Sequence, residues 1–318
     1  GKASDYDITD TAAALISAGD SVLDVGGVDV VTANDSSVSA KIGGDLAGFT
    51  ADIEFDVVDN ANAIAAEVAS SGFGSGGLDE ADTVVVSGGD VTASEADAIQ
   101  SITGYDSGAS DYDITDTAAA LISATDSVLN VAGVDVVTAS DSSVSANIGG
   151  DLAGFTADIE FNVEDTANAI AAEVAASGFG SGGLNEADNV VVSGGNVDVA
   201  DADAIQSITG YDGKASDYDI TDTAAALISA TDSVLNVDGV DVVTVSDGPV
   251  NAADGATLNG FAADVEYTVA DSAENIVANS ANLSEADHIQ VVDNVANSAN
   301  VTQVGIIDLT VEEKSKGK

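Results

Sequence analysis

The chain has no cysteine, no methionine, no tryptophan and no arginine, and it carries one proline (Pro249), one histidine (His288) and six lysines. Without cysteine there are no disulfides, no thiolate metal sites and no thiol nucleophile. Without arginine there is no forked donor to clamp a phosphate or carboxylate. Six lysines cannot form a basic stripe beside 56 acidic residues, and the net charge of −50 excludes nucleic acid as a partner. No apolar run approaches the roughly 18–20 residues of a membrane span, so membrane insertion is not expected either. Aromatics are scarce, at six Tyr and seven Phe. His288 replaces Thr83 and Asn189 of earlier repeats in a strand-like stretch and reads as an exposed substitution. The expectation is a protein with no catalytic residue, and not an enzyme.

What the chain has instead is repetition. The run Ala-Ser-Asp-Tyr-Asp-Ile-Thr-Asp-Thr-Ala-Ala-Ala-Leu-Ile-Ser-Ala begins at Ala3, Ala109 and Ala215, a period of 106 residues (109 − 3 and 215 − 109). Residues 3–108 and 109–214 differ at 18 positions, and the third copy drifts in its second half. A shorter unit lies inside the long one. An aromatic, a β-branched residue two positions on and Asp four positions on recur at Tyr6/Asp10, Phe55/Asp59, Tyr112/Asp116, Phe161/Asp165, Tyr218/Asp222 and Tyr267/Asp271. The starts alternate 49 and 57 residues apart (55 − 6, 112 − 55), the extra length being the glycine-rich stretch at 72–77 and its copy at 178–183. Gly-aromatic pairs at Phe49, Tyr105, Phe155, Tyr211 and Phe261 close the coils, so with Phe73 and Phe179 every aromatic falls in a repeated place.

Within a coil, the alternation of Tyr112-Asp-Ile-Thr predicts a strand, with Asp116 as N-cap of a short helix from Thr117. The stretch from Val134 to Thr138 predicts a second strand, followed by a short helical turn near Ser142 capped by Asp141. Strands alternating with helices predict parallel sheets. The fold expected is an α/β solenoid of six stacked coils of about 53 residues, each strand-helix-strand-helix, with the six aromatics in a ladder. The alternatives are a β-solenoid or three separate 106-residue α/β domains. In domain terms this divides the chain into repeat 1 (1–108), repeat 2 (109–214), a diverged repeat 3 (215–305) and a C-terminal cap with a lysine-containing tail (306–318). The start Gly-Lys-Ala matches the internal Gly213-Lys214-Ala215, and the sequence is expected to be a mature or excised piece of a longer chain.

Asp outnumbers Glu 43 to 13. Asp is the better capping residue and also a hard oxygen ligand for calcium. Asp24, Asp56, Asp79 and Asp90 become Asn in a later copy, which fits caps and turns, whereas Asp10, Asp59, Asp116, Asp165, Asp222 and Asp271 keep their charge. Candidate calcium ligands are Asp79, Glu80 and Asp82 beside the glycine stretch, and Asp5 and Asp7 at the coil junction. No other cofactor is expected. Lys314, Lys316 and Lys318 give an acidic chain a basic end, which suggests head-to-tail self-assembly.

The pattern aromatic-x-Ile/Val-x-Asp-Thr-Ala, seen from Tyr6 and Phe161 and with Ser for Thr from Tyr267, resembles the tandem repeats of very large secreted bacterial surface proteins, adhesin-like or surface-layer-like, of cyanobacteria and proteobacteria. The resemblance implies an extracellular or cell-surface structural protein: a filament subunit, surface-layer component or adhesin stalk. The alternative is a multivalent module that binds calcium or surface glycans.

Overall fold

The computed structural model describes residues 5–71, 77–177 and 183–292 and the backbone of Ile307–Leu309. The first copy gives β1 (Tyr6–Asp10), α1 (Ala12–Ala18), α2 (Asp20–Leu23), β2 (Val28–Ala33), α3 (Ala40–Ala47), β3 (Ile53–Glu54), β4 (Asp56–Asp59), α4 (Ala61–Ser71), a 3₁₀ turn (Leu78–Glu80), β5 (Thr83–Val91) and α5 (Ala93–Gln100). The second repeats it as β6 (Asp111–Asp116), α6 (Ala118–Ser123), α7 (Asp126–Leu129), β7 (Val134–Ala139), α8 (Ala146–Ala153), β8 (Ile159–Glu160), β9 (Asn162–Asp165), α9 (Ala167–Ser177), β10 (Asn189–Val197) and α10 (Val199–Gln206). The third gives β11 (Asp217–Asp222), α11 (Ala224–Ala230), α12 (Asp232–Leu235), β12 (Val240–Val245), α13 (Ala252–Leu258), β13 (Val265–Glu266), β14 (Thr268–Asp271), α14 (Ala273–Asn279) and β15 (His288–Val291), with β16 (Ile307–Leu309) beyond it. The fold is therefore α/β, with strands and helices alternating. Some connections hold two helices where the sequence predicted one.

Two compact units are present, residues 1–142 with 151–161 and residues 143–150 with 162–318. The first unit holds a three-stranded sheet, β1-β2-β3, and a five-stranded sheet, β4-β5-β6-β7-β8. The second holds a five-stranded sheet running from β9 through β13 in order and the three-stranded sheet β14-β15-β16. Among these strands every pairing is parallel except that of β15 with β16. In the first unit β5 pairs with β6 (Ser87↔Asp111, Val91↔Ile114), and in the second β10 pairs with β11. Strand pairing thus crosses from copy to copy, which rules out three separate 106-residue domains.

The interior is built mainly from Ala, Val, Leu and Ile. In α4, Ala61, Ile64, Ala65 and Val68 are buried at positions i, i+3, i+4 and i+7, one face of a helix. They cover Val84 and Val86, which alternate inward from β5. Helix α3 lies so close to its sheet that a Cβ on Gly43 would stand 2.8 Å from Val57 Cγ2 and 3.2 Å from the Phe55 ring. Gly255 repeats that approach against Val269 and Tyr267.

The aromatics do not form one ladder. Tyr112 faces Val134 across β6 and β7, and β7 stands between it and β8, at whose end Phe161 lies. Phe55 and Phe161 sit at the point where the chain leaves one sheet for the next, between β3 and β4 and between β8 and β9. Tyr267 occupies the same place in the third copy, 3% exposed, with its hydroxyl buried and without a hydrogen-bond partner among the described residues. Burial, with Glu285 and Asp287 nearby, pushes its phenol up to about 12. Because Phe serves at the equivalent sites, Tyr267→Phe is expected to stabilise the protein by about 1 kcal/mol, removing the unmet hydroxyl and keeping the ring. The change in urea midpoint measures it, and a clear loss would mean that the hydroxyl has a partner.

Candidate functional site

The carboxylates that survive in every copy are placed by the strands they end. Asp116 closes β6, and its Oδ1 accepts the Thr117 N–H at 2.8 Å. The N-cap of α6 is Thr117 itself, whose hydroxyl accepts from Ala120 N–H, so Asp116 is not the cap the sequence suggested. Its second oxygen instead accepts, at 3.1 Å, the N–H of Ala93, the first residue of α5, 23 positions earlier. Asp59, Asp165, Asp222 and Asp271 do the same for Ala40, Ala146, Val199 and Ala252 at 3.0–3.2 Å. Asp141 caps no turn at Ser142. It accepts from Ala118, the first residue of α6, as Asp35 does from Ala12 and Asp247 from Ala224.

Eight helices thus take a first-turn cap from a carboxylate 19 or 23 residues further along. The physical need is plain, since helices of six to eight residues are not stable alone and their first amides have no partner inside the helix. An ionised carboxylate meets both the orphan N–H and the positive end of the dipole. Asp271 shows the consequence: the Ala252 N–H, the Asn275 amide and the Ser272 N–H hold its carboxyl below the usual range.

The longer helices α4 and α9 are served differently. The strand beside each runs on through a bulge at Gly88–Gly89 (φ 79° and 108°) and Gly194–Gly195 (φ 82° and 110°), conformations open to glycine. Gly89 comes so near α4 that an added Cβ would lie 3.2 Å from the Ala61 nitrogen. Asn62 Nδ2 then donates to the Asp90 carbonyl at 2.8 Å, and Asn168 to the Asn196 carbonyl at 3.0 Å.

The candidate calcium ligands are dispersed or already engaged. Asp79 Oδ1 accepts the Thr103 N–H at 2.9 Å, and Asn185 accepts from Thr209 in the same way, so the position needs an oxygen and no charge. Glu80 borders a groove of about 410 Å³ lined also by Leu46, Phe49, Thr50, Asp52 and Phe55. That groove's Thr50 is tied to Asp20 through its N–H (2.8 Å) and hydroxyl (3.3 Å). Burial, then the charges of Glu54, Asp56 and Asp52, raises the Asp82 carboxyl. Asp5 and Asp7 are exposed beside and within β1. Among the described residues no three His, Cys, Asp or Glu side chains form a group that could hold a metal ion. His288 is half-buried in β15. Most of the glycine-rich stretch and Lys314, Lys316 and Lys318 lie outside the described residues. No helix is long and apolar enough to cross a membrane among the described residues.

Two tyrosines of the repeated hexapeptide Asp-Tyr-Asp-Ile-Thr-Asp, Tyr112 and Tyr218, join neighbouring elements. Gln100, at the end of α5, donates from Nε2 to Tyr112 OH at 2.7 Å and to the Val128 carbonyl at 2.9 Å. Gln206 repeats this with Tyr218 and Val234 at 2.7 and 3.0 Å. Burial raises both phenols. In the first copy the hexapeptide is open: Tyr6 is 47% exposed where Tyr112 and Tyr218 are 1%, and Val22 is 49% exposed where Val128 and Val234 are 8% and 7%. The signal was available in Gln100 and Gln206, which recur at the same offset from each tyrosine, but only the fold shows what they bridge.

No protein-family model, curated protein or solved structure matches the chain.

Proposed function

We propose that this chain is a structural repeat protein of the bacterial surface, a stiff acidic solenoid of six coils acting as a filament subunit, surface-layer component or adhesin stalk. The observation that carries this reading is the relay of carboxylate caps, in which eight helices take their first-turn cap from an Asp 19 or 23 residues further along. These carboxylates join one element to the next, which suits a protein whose product is length. The resemblance of the repeats to those of large secreted surface proteins supports the location. The same carboxylates make folding sensitive to charge, because 50 excess negative charges repel and among the described residues one ion pair, Lys41–Asp45 at 3.0 Å, offsets them.

The thermal midpoint should therefore rise with monovalent salt and rise on mild acidification from pH 7. Asp82 and Asp201 have folded pKa values raised first by burial, so their ionised forms cost stability at neutral pH and protonation relieves that cost as pH falls. Asp271, with its lowered value, contributes stability above the unfolded carboxyl pKa of about 3.9 and loses it as pH falls through the folded one. A midpoint indifferent to salt and to pH between 7 and 5 would contradict the charge argument.

Calorimetric titration with calcium chloride, at ionic strength matched by sodium chloride, tests the role itself. A structural spacer takes up no saturable calcium. Saturable uptake near two equivalents per chain would replace this reading with a multivalent binding module built on the glycine-rich sequences at 72–82 and 178–188.

A further inference from the structure

Thr231 holds a backbone conformation that belongs to glycine. It is the one non-glycine residue with positive φ among the described residues. Its φ of 67° and ψ of 168° lie in a region costly for any side chain and most of all for a β-branched one. The same place in the first copy is Gly19, with φ 72° and ψ 166°, where α1 has run on through Ala18 before the chain enters α2. An added Cβ on Gly19 would meet nothing within 4 Å, so the cost of a side chain in this geometry is torsional and not a clash. In the second copy the counterpart, Thr125, is extended at φ −122° and ψ 161°, and α6 stops one residue earlier, at Ser123.

Local sequence does not decide between the two forms. Residues 109–131 and 215–237 are identical over 23 positions (131 − 109 + 1), yet the first segment is extended at its threonine and the second is not. Strand pairing does not decide either, since β6 meets β7 and β11 meets β12 in the same register, from Tyr112↔Val134 and Tyr218↔Val240 onward. Nor does the following loop: Thr50 gives Asp20 its N–H and its hydroxyl beside the glycine form, and Thr156 gives Asp126 the same two bonds beside the extended form. What differs is the helix one strand earlier. The extended junction borders a groove of about 420 Å³, with Ala93, Ser94 and Asp97 of α5 on one side and Ala124, Thr125 and Val128 on the other. Of its nine described lining residues, seven have an identical counterpart in the third copy and two do not, Ala93 becoming Val199 and Ser94 becoming Ala200. Val199 stands where Ala93 does, its N–H taken by Asp222 as that of Ala93 is by Asp116.

We propose that the junction between these two helices is a two-state joint, and that the side chains opening the preceding helix set its state. Alanine at 93 leaves room beside Ala124 and Thr125, and the chain turns off α6 a residue early with Thr125 relaxed. Valine at 199 brings two more methyl groups to the same place, α11 continues through Ala230, and the turn falls on Thr231 at a positive φ. Gly19 takes this second form without the torsional cost. The helix layer thereby gains or loses a residue while strand pairing stays fixed, which gives a uniform array an adjustable point in each copy. The inference goes beyond the surface role proposed above and does not depend on it.

The test is nuclear magnetic resonance of the full chain with isotopically labelled threonine, in which the amide-to-Hα coupling and the Cα and Cβ shifts report φ at Thr125 and Thr231. The unaltered chain should show an extended Thr125 and a positive-φ Thr231. Exchanging the selecting residues, Val199→Ala with Ala200→Ser, should bring Thr231 onto the values of Thr125, and Ala93→Val with Ser94→Ala should do the reverse. Urea denaturation gives a second reading. Thr125→Gly and Thr231→Gly carry the same unfolded-state penalty, so the ratio of their effects reports the strain, and Thr231→Gly should leave the unfolding constant at least about fivefold lower than Thr125→Gly does. That gap should close when Val199→Ala and Ala200→Ser are also present. Identical φ at the two threonines in the unaltered chain would overturn the proposal. So would distinct values that survive either exchange, or glycine substitutions of equal effect.

Discussion

Replacing Tyr112 by alanine is expected to cost about 3–5 kcal/mol, and the same replacement of Tyr6 clearly less, although the two residues sit in the same hexapeptide. The difference lies wholly in what covers them. Tyr112 is 1% exposed, lies between β5 and β7 and accepts a hydrogen bond from Gln100, so its removal opens a cavity and leaves the Gln100 amide one partner short. Tyr6 is 47% exposed and among the described residues has neither such cover nor a glutamine partner. Tyr218→Ala should match Tyr112→Ala, since Gln206 and β10 repeat the environment. Urea midpoints and slopes for the three variants decide the matter. Equal losses at Tyr6 and Tyr112 would mean that β1 is covered in solution or that the cover contributes little.

The second large effect belongs to the carboxylates. Asp116→Ala removes acceptors for two backbone N–H groups at once, Thr117 and Ala93, and should cost about 2–3 kcal/mol. Asp10→Ala removes one exposed bond and should cost roughly 0.5–1 kcal/mol. Asp116→Asn keeps one oxygen acceptor and should fall between them, with either the local or the long-range bond lost. A loss at Asp116 no greater than at Asp10 would show that the bond to Ala93 contributes nothing. Because Ala93 begins α5, the first structure to loosen in Asp116→Ala should be α5 rather than α6, the helix adjacent in sequence.

That distinction marks where sequence reading stopped. The repeat, the parallel α/β character and the preference for Asp at the end of each first strand followed from period, alternation and residue type. The sequence could not tell that Asp116 serves a helix 23 residues earlier, because Thr117 beside it is an equally good cap and the contest is settled by which N–H the next strand brings within reach. The aromatic ladder failed for a related reason. Recurrence of one motif suggested equal placement, but Phe55 and Phe161 lie where the chain passes from one sheet to another, whereas Tyr112 and Tyr218 lie within strands. Gly88 and Gly89, to which the sequence reading gave no role, form a bulge inside β5 that lets one strand serve two neighbours. The calcium candidates were chosen by residue type and by their place beside the glycine stretch and at the coil junction, and Asp79 holds Thr103.

The most direct test of the account is native-state hydrogen exchange, resolved to single amides, at the first residue of each capped helix. First-turn amides of short helices ordinarily exchange fast because nothing inside the helix accepts from them. Here the N–H groups of Ala93, Ala146, Val199 and Ala252 are bound to carboxylates of later strands. The account predicts that they exchange as slowly as the neighbouring strand amides, and that Asp116→Ala releases Ala93 while leaving Ala146 and Val199 protected. Rapid exchange at all four sites in the unaltered protein would contradict it.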